Sequence, residues 1–307
     1  MKEKRFVQFA WFVLAYNVLV VLWGAFVRAT GSGAGCGAHW PICNGQVIPR
    51  NPAVETMIEF SHRLSSGLAL IFVVALIVWA FRLYPKGDKV RFATGWAMFF
   101  MITESLVGAS LVLFRWVEAN DSVARVYVMG IHLGNTFMLL FFLALAAFYA
   151  SGRAKVRFRH QGRAGTLCWL SLLAMLLLAV SGAIIALGDS LVYIEGLSPD
   201  DSLVVATLMS IRIYHPLFAI LVSVFLLVVS RYLAKARPSP QLSRASLILL
   251  ILVLIEVVVG IINIALKVPV AVQIIHLLVA SLMWLTVTFM TFFALSDDAE
   301  RVPAVTM

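Results

Sequence analysis

Charge is scarce in this sequence. Asp, Glu, Lys and Arg make up 13% of its 307 residues, and only 15 residues are acidic, whereas about a quarter of an average soluble domain is charged. Too few polar side chains are present to coat a water-soluble surface, which excludes a soluble enzyme. Hydrophobic residues supply 62% and mean hydropathy is +0.97, as expected of an all-α integral membrane protein. Cysteine is scarcer still. Of the three, Cys36 and Cys43 share one Gly-rich stretch, "GSGAGCGAHWPICNG" at 31 to 45, and Cys168 stands alone in an apolar run, where it reads as a small core residue.

A hydrocarbon core of ~30 Å takes ~20 helical residues to cross. Apolar runs of that order occur at 6 to 27, 57 to 81, 93 to 114, 126 to 150, 166 to 187, 210 to 233, 246 to 266 and 270 to 295, which predicts eight transmembrane helices. The first run is too long for a signal-peptide core and is expected to remain. Seventeen of the 24 Lys and Arg lie on the N-terminal side of the membrane: Lys2, Lys4, Arg5, Arg82, Lys86, Lys89, Arg91, five between 153 and 163, four between 231 and 244, and Arg301. The positive-inside rule therefore predicts a multi-pass protein of the inner or plasma membrane with both termini cytoplasmic. The net charge of +9 sits where the inner leaflet is anionic and calls for no nucleic-acid partner.

That orientation puts Cys36 and Cys43 outside, where thiols oxidise, and the six residues between them let the sulfurs meet across a compact turn. A disulfide is predicted, either as a structural staple or as a redox-active pair.

The chain also repeats itself. "ITESLVGASLVL" in the third span answers "LIEVVVGIINIAL" in the seventh, with Glu104 and Gly108 matching Glu256 and Gly260 at a spacing of 152. His62 answers His215 at 153, His132 answers His276 at 144, and Gly24 and Gly182 match more loosely. An even number of spans per half makes these parallel repeats, so the expected architecture is two four-helix bundles. The N-terminal one covers 1–152, a basic cytoplasmic linker covers 153–165, and the C-terminal one covers 166–307.

Four histidines thus fall one per even-numbered span, at one depth near the outer surface. One intramembrane histidine is most simply a hydrogen-bonded core residue, although ionisable groups in the bilayer are functional suspects. Four at matched depth, two per bundle, suit bis-imidazole ligation of haem iron. Zinc would need further ligands, for which only the glutamates offer. His39 and His160 lie outside the pattern and read as solvent-facing.

The Cys36 and Cys43 loop, the "IEFSHR" at 58 to 63 that follows it, the four helix histidines and the duplicated halves together resemble the haem A synthase family over essentially the whole chain. The resemblance implies an oxidoreductase that converts the C8 methyl of haem O to a formyl group, giving haem A for terminal oxidases. Water is the oxygen source it implies, through two hydroxylations and dehydration of a geminal diol. It implies that His62 and His132 are axial to the substrate haem, and that His215 and His276 are axial to a b-type haem in the second half. The partners implied are membrane lipid, a haem O synthase (protohaem farnesyltransferase) and an unidentified electron acceptor, with a homo-oligomer left open.

The halves differ where chemistry would differ. Glu59 precedes His62 by three residues, on the same helical face, while its second-half equivalent is Arg212. Glu59 reads as a base for water or a stabiliser of positive charge at C8, or else as an interfacial carboxylate paired with Arg63 or Arg28. Arg28, Arg63 and Arg212 are candidates for haem propionates or snorkelling anchors. Glu104 and Glu256 suggest structural hydrogen bonding or a proton relay.

The loop from 188 to 209, with Asp189, Glu195, Asp200 and Asp201, lacks the cysteine pair that some family members carry there. A cysteine pair only beside Glu59 favours a role in the reaction, by ordering the loop over the haem or by accepting electrons, and argues against any mechanism requiring four cysteines. Pro216 directly after His215 is a second departure, tolerable near a helix start. A di-haem quinol-oxidising electron carrier and a haem transporter or chaperone are the alternative readings.

Overall fold

Each apolar run falls largely within helix. In the computed structural model, residues 2–157 and 159–296 are described; Arg301 and the rest of the chain beyond 296 lie outside them. The helices are α1 (Lys2–Ala29), α2 (Val54–Leu83), α3 (Lys89–Leu113), α4 (Val123–Ala150), α5 (Gly162–Tyr193), α6 (Leu203–Ile211), α7 (Tyr214–Ala236), α8 (Pro240–Ala265) and α9 (Val270–Leu295). No strand forms among the described residues, and eight segments are long and apolar enough to cross a membrane, the sixth comprising α6 and α7 together. Polar caps set several starts. Asp88 accepts from Val90 N at 2.7 Å, Ser202 from Val205 N at 3.2 Å and Ser239 from Leu242 N at 3.2 Å, the last followed by Pro240 at the first helical position.

Two boundaries differ from expectation. α5 runs on to Tyr193, so Asp189 belongs to a buried helical turn and not to the loop at 188 to 209, whose last part, from Leu203, is α6. The sixth span breaks at Arg212 and Ile213, where the apolar run is continuous. Pro216 is the cause: its ring has no N–H to offer Arg212 O, four residues back, and crowds that carbonyl. The chain restarts as α7, with Pro216 in its first turn and His215 N donating weakly to Arg212 O at 3.4 Å.

α1 packs against α2 and α4, and α3 packs between α2 and α4; likewise α5 packs against α7 and α9, and α8 between α7 and α9. α4 additionally meets α5 and α9, and α1 meets α9. α4 is therefore enclosed, and its stretch from Phe137 to Tyr149 is buried almost throughout, as befits a helix apolar on every side.

Polar ties join the two sets at three levels. Near the Cys36 loop, Arg28 of α1 donates to Ala186 O at 2.7 Å and Ser190 Oγ at 2.5 Å on α5, and to Gln273 Oε1 at 3.0 Å on α9. Midway, Trp284 Nε1 donates to Phe137 O at 2.9 Å. At the other end the segment expected as a linker is pinned to α9, with Arg157 N donating to Leu295 O at 2.9 Å.

Candidate functional site

The Gly-rich loop lies on the first turn of α2. A Cβ at Gly35 would fall 2.5 Å from the backbone of Glu55, so only glycine permits the approach. Gly35 O accepts from Thr56 Oγ1 at 2.6 Å and Asn44 Nδ2 at 3.0 Å. Cys36 and Cys43 are fully buried with Cα atoms 4.4 Å apart and their sulfurs at bonding distance. They are expected to be joined in the mature protein: alkylation in denaturant without reductant, followed by mass spectrometry, should find neither free. Labelling of both would remove the staple from the loop.

Glu59 is 3% exposed and uses both carboxylate oxygens. Oε2 accepts from Cys36 N at 2.7 Å, and Oε1 accepts from Arg63 Nε at 3.0 Å and Nη2 at 2.5 Å. Arg63 Nη1 reaches on to Ile42 O at 2.8 Å and to His39 O. One buried ion pair on successive turns of α2 thus holds both ends of the segment from Cys36 to Cys43. The i,i+4 pairing of Glu59 with Arg63 is legible in the sequence; the bond to Cys36 is long-range and is not.

Three residues on, the imidazole of His62 lies against Gly24 of α1. A Cβ there would stand 3.0 Å from its Cε1, and one at Gly182 of α5 would stand 3.1 Å from Cε1 of His215. Both rings occupy space that any larger residue would contest. Gly108 and Gly260 back His132 and His276 more loosely, at 3.7 and 3.6 Å. His62 of α2 and His132 of α4 belong to helices that both pack against α1 and α3, and His215 of α7 and His276 of α9 to helices that both pack against α5 and α8. All four sit in the parts of their helices nearest the Cys36 loop. Among the described residues no three His, Cys, Asp or Glu side chains gather as a bare metal ion would need. Two glycine-backed imidazoles per site do fit an iron held axially by two nitrogens.

A family model described as cytochrome oxidase assembly protein, COX15-CtaA, matches residues 7–288. The chain belongs to the haem A synthase family. It is 36% identical over 132 residues to the heme A synthase of an Exiguobacterium species, covering 43% of this chain and 41% of the relative. It is 38% identical over 137 residues to that of Lysinibacillus sphaericus, covering 44% and 41%. It is also 49% identical over 306 residues to a protoheme IX farnesyltransferase of Thermus thermophilus, taking in 97% of this chain and 50% of the relative. The chain therefore spans about half the length of that relative.

Around the four histidines the two halves of the chain differ. Glu104 Oε1 stands 3.2 Å from His132 Nδ1, and Glu256 Oε1 stands 3.3 Å from His276 Nδ1, each off the line of an N–H donor. Glu104 is braced by Asn135 Nδ2 at 2.7 Å and by Thr136 Oγ1, which supports structural hydrogen bonding as its role. The matching positions are Val279 and Ala280, and Glu256 Oε2 is buried without a hydrogen-bond partner among the described residues. Ser181 Oγ meets His215 Nδ1 at 2.9 Å. None of Asn135, Thr136 or Ser181 stood out in the sequence; comparing the two halves position by position would have found them.

The three arginines all have protein partners. Arg28 turns inward to α5 and α9, contrary to a snorkelling anchor. Arg63 holds the loop. Arg212 Nε lies 3.2 Å from Asp189 Oδ1 and its Nη1 3.4 Å from Tyr193 Oη. His39 and His160 are exposed, as expected, and Cys168 is buried in the core.

Proposed function

We propose that the protein is a haem A synthase, oxidising the C8 methyl of haem O to a formyl group with water as oxygen source. The observation that carries this reading is the set of four glycine-backed histidines, in two pairs, with Glu59 and the buried cysteine pair attached to only one of them. His62 and His132 hold the substrate haem, and His215 and His276 hold a b-type haem. A haem b there supplies a one-electron relay for the four electrons that leave as methyl becomes formyl. Glu59 presents negative charge one helical turn from His62, and its hydrogen bond to Cys36 N couples that site to the cysteine pair. Arg212, whose Nη2 has no partner among the described residues, is the arginine best placed to take a propionate.

In this reading α1 to α4 and α5 to α9 are two parallel four-helix bundles, α6 and α7 together making one span of the second. Their ring-like packing and the matched glycine–histidine contacts support the duplication, and the basic clusters at one end support cytoplasmic termini. A relative named for protohaem farnesylation, half of whose length aligns with this chain, supports a haem O synthase as partner. Pigment extraction after co-expression with a haem O synthase tests the reading: haems B, O and A together are expected. Haem B alone would favour a di-haem electron carrier, which leaves Glu59 and the cysteines without a task.

A further inference from the structure

We infer that the two ligands of the substrate site are unequal: His132 is its fixed ligand, and His62 is the one that lets go so that substrate can enter and product leave. This rests on the reading of the site as a haem A synthase, in which one haem must pass through and the other must stay.

An iron-bound imidazole needs something to do with its second nitrogen. A partner on that side fixes ring orientation and raises basicity, and removing such a partner weakens metal binding by about 10- to 100-fold. Three of the four rings have a polar group facing that side, and one of them, His215, is in hydrogen-bonding geometry with it. His132 Nδ1 faces the braced carboxylate of Glu104 at 3.2 Å, His276 Nδ1 faces Glu256 at 3.3 Å, and His215 Nδ1 meets Ser181 Oγ at 2.9 Å. His62 Nδ1 is buried and meets no protein group among the described residues.

The difference traces to one position. Ser181 directly precedes Gly182, against which His215 lies; the residue preceding Gly24, against which His62 lies in the same way, is Trp23. The Trp23 indole turns away, donating to Ser61 Oγ at 3.0 Å and stacking on Phe26 at 5.0 Å. The pair at His215 and His276 thus has a polar group facing both rings, and the pair at His62 and His132 has one facing His132 alone. With haem held there, exchange would require only that His62 release it and take it up again, with no change in oxidation state.

Carbon monoxide, which adds to ferrous haem only where an axial ligand yields, reads this directly. The full chain loaded with two equivalents of haem B and reduced with dithionite should bind carbon monoxide readily at one haem, the one that His132→Ala loses and His62→Ala retains. Trp23→Ser, which places a hydroxyl where Ser181 stands, should slow carbon monoxide entry there by about 10- to 100-fold. Ser181→Ala should open the second haem by a similar factor.

Equal reactivity of the two haems in the unaltered protein would overturn the inference, as would an unchanged rate in Trp23→Ser at full haem content. Should Trp23→Ser fail to insert, Ser181→Ala decides alone, and a second haem still closed to carbon monoxide counts against the inference. If haem content is indifferent to all four histidines, it is the haem reading that fails and not the inequality.

Discussion

Glu59→Gln is expected to lower haem A formation by about a hundredfold or more, the usual cost of losing one well-placed acid-base or electrostatic group, while haem O still loads through the histidines. The geometry adds a second consequence. The carboxylate accepts from Cys36 N through one oxygen and from Arg63 through the other. An amide has one acceptor oxygen, so whichever way Gln turns, its NH2 meets a donor, and the loop loses one of its ties. The variant should therefore accumulate haem O or a singly hydroxylated intermediate and also show a cysteine pair that mild reductant opens sooner.

Arg63→Gln separates the two effects. It loosens the loop while leaving a carboxylate at 59. Equal losses of haem A in both variants would mean that Glu59 acts only through the loop, and a loss peculiar to Glu59→Gln would place its charge at the reacting carbon. Chromatography of extracted haems is the readout. Wild-type haem A from Glu59→Gln would reduce Glu59 to an ordinary buried anchor.

His215→Ala or His276→Ala should remove the b-type haem and leave the fold inserted, because a bis-imidazole iron loses one of two axial bonds while the apolar helices keep their packing. Haem content should fall to about half of the two-site value, and the haem b bands should disappear from the reduced-minus-oxidised spectrum. Turnover should stop with it, since electrons from the substrate site lose their relay. Gly182→Ala is the graded companion. Its Cβ would stand 3.1 Å from the His215 ring, a crowding of the kind that costs ~1–3 kcal/mol, so partial loss is expected. Unchanged spectra in both histidine variants would remove these residues from the site.

The spans were legible because a membrane helix announces itself by a continuous apolar run, and the histidines because four polar rings at one depth have no bland explanation. What composition could not show was where a run is interrupted. Arg212 and Ile213 lie inside an apolar stretch, and only the steric demand of Pro216 on the carbonyl four residues back breaks it. Asp189 read as loop because charge marks a span's end, yet Arg28 and Arg212 are close enough to keep it company within α5. The braces on Glu104 and the link from Glu59 to Cys36 join residues 23 or more positions apart, and no local pattern encodes such a bond. Reading the repeat for its mismatches would have exposed Trp23 against Ser181, and Asn135 and Thr136 against Val279 and Ala280.

The two helix sets are tied at Arg28 near the Cys36 loop and at Trp284 midway, and at the other end the chain that leaves α4 is pinned to α9 at Arg157. A pair of bodies fastened at one end can scissor, and a pair fastened at both ends and the middle cannot. The separation between the two histidine pairs is therefore a fixed dimension of the protein. If each pair holds a haem as proposed, tunnelling between them, which falls off exponentially with the gap, would meet the same resistance on every turnover.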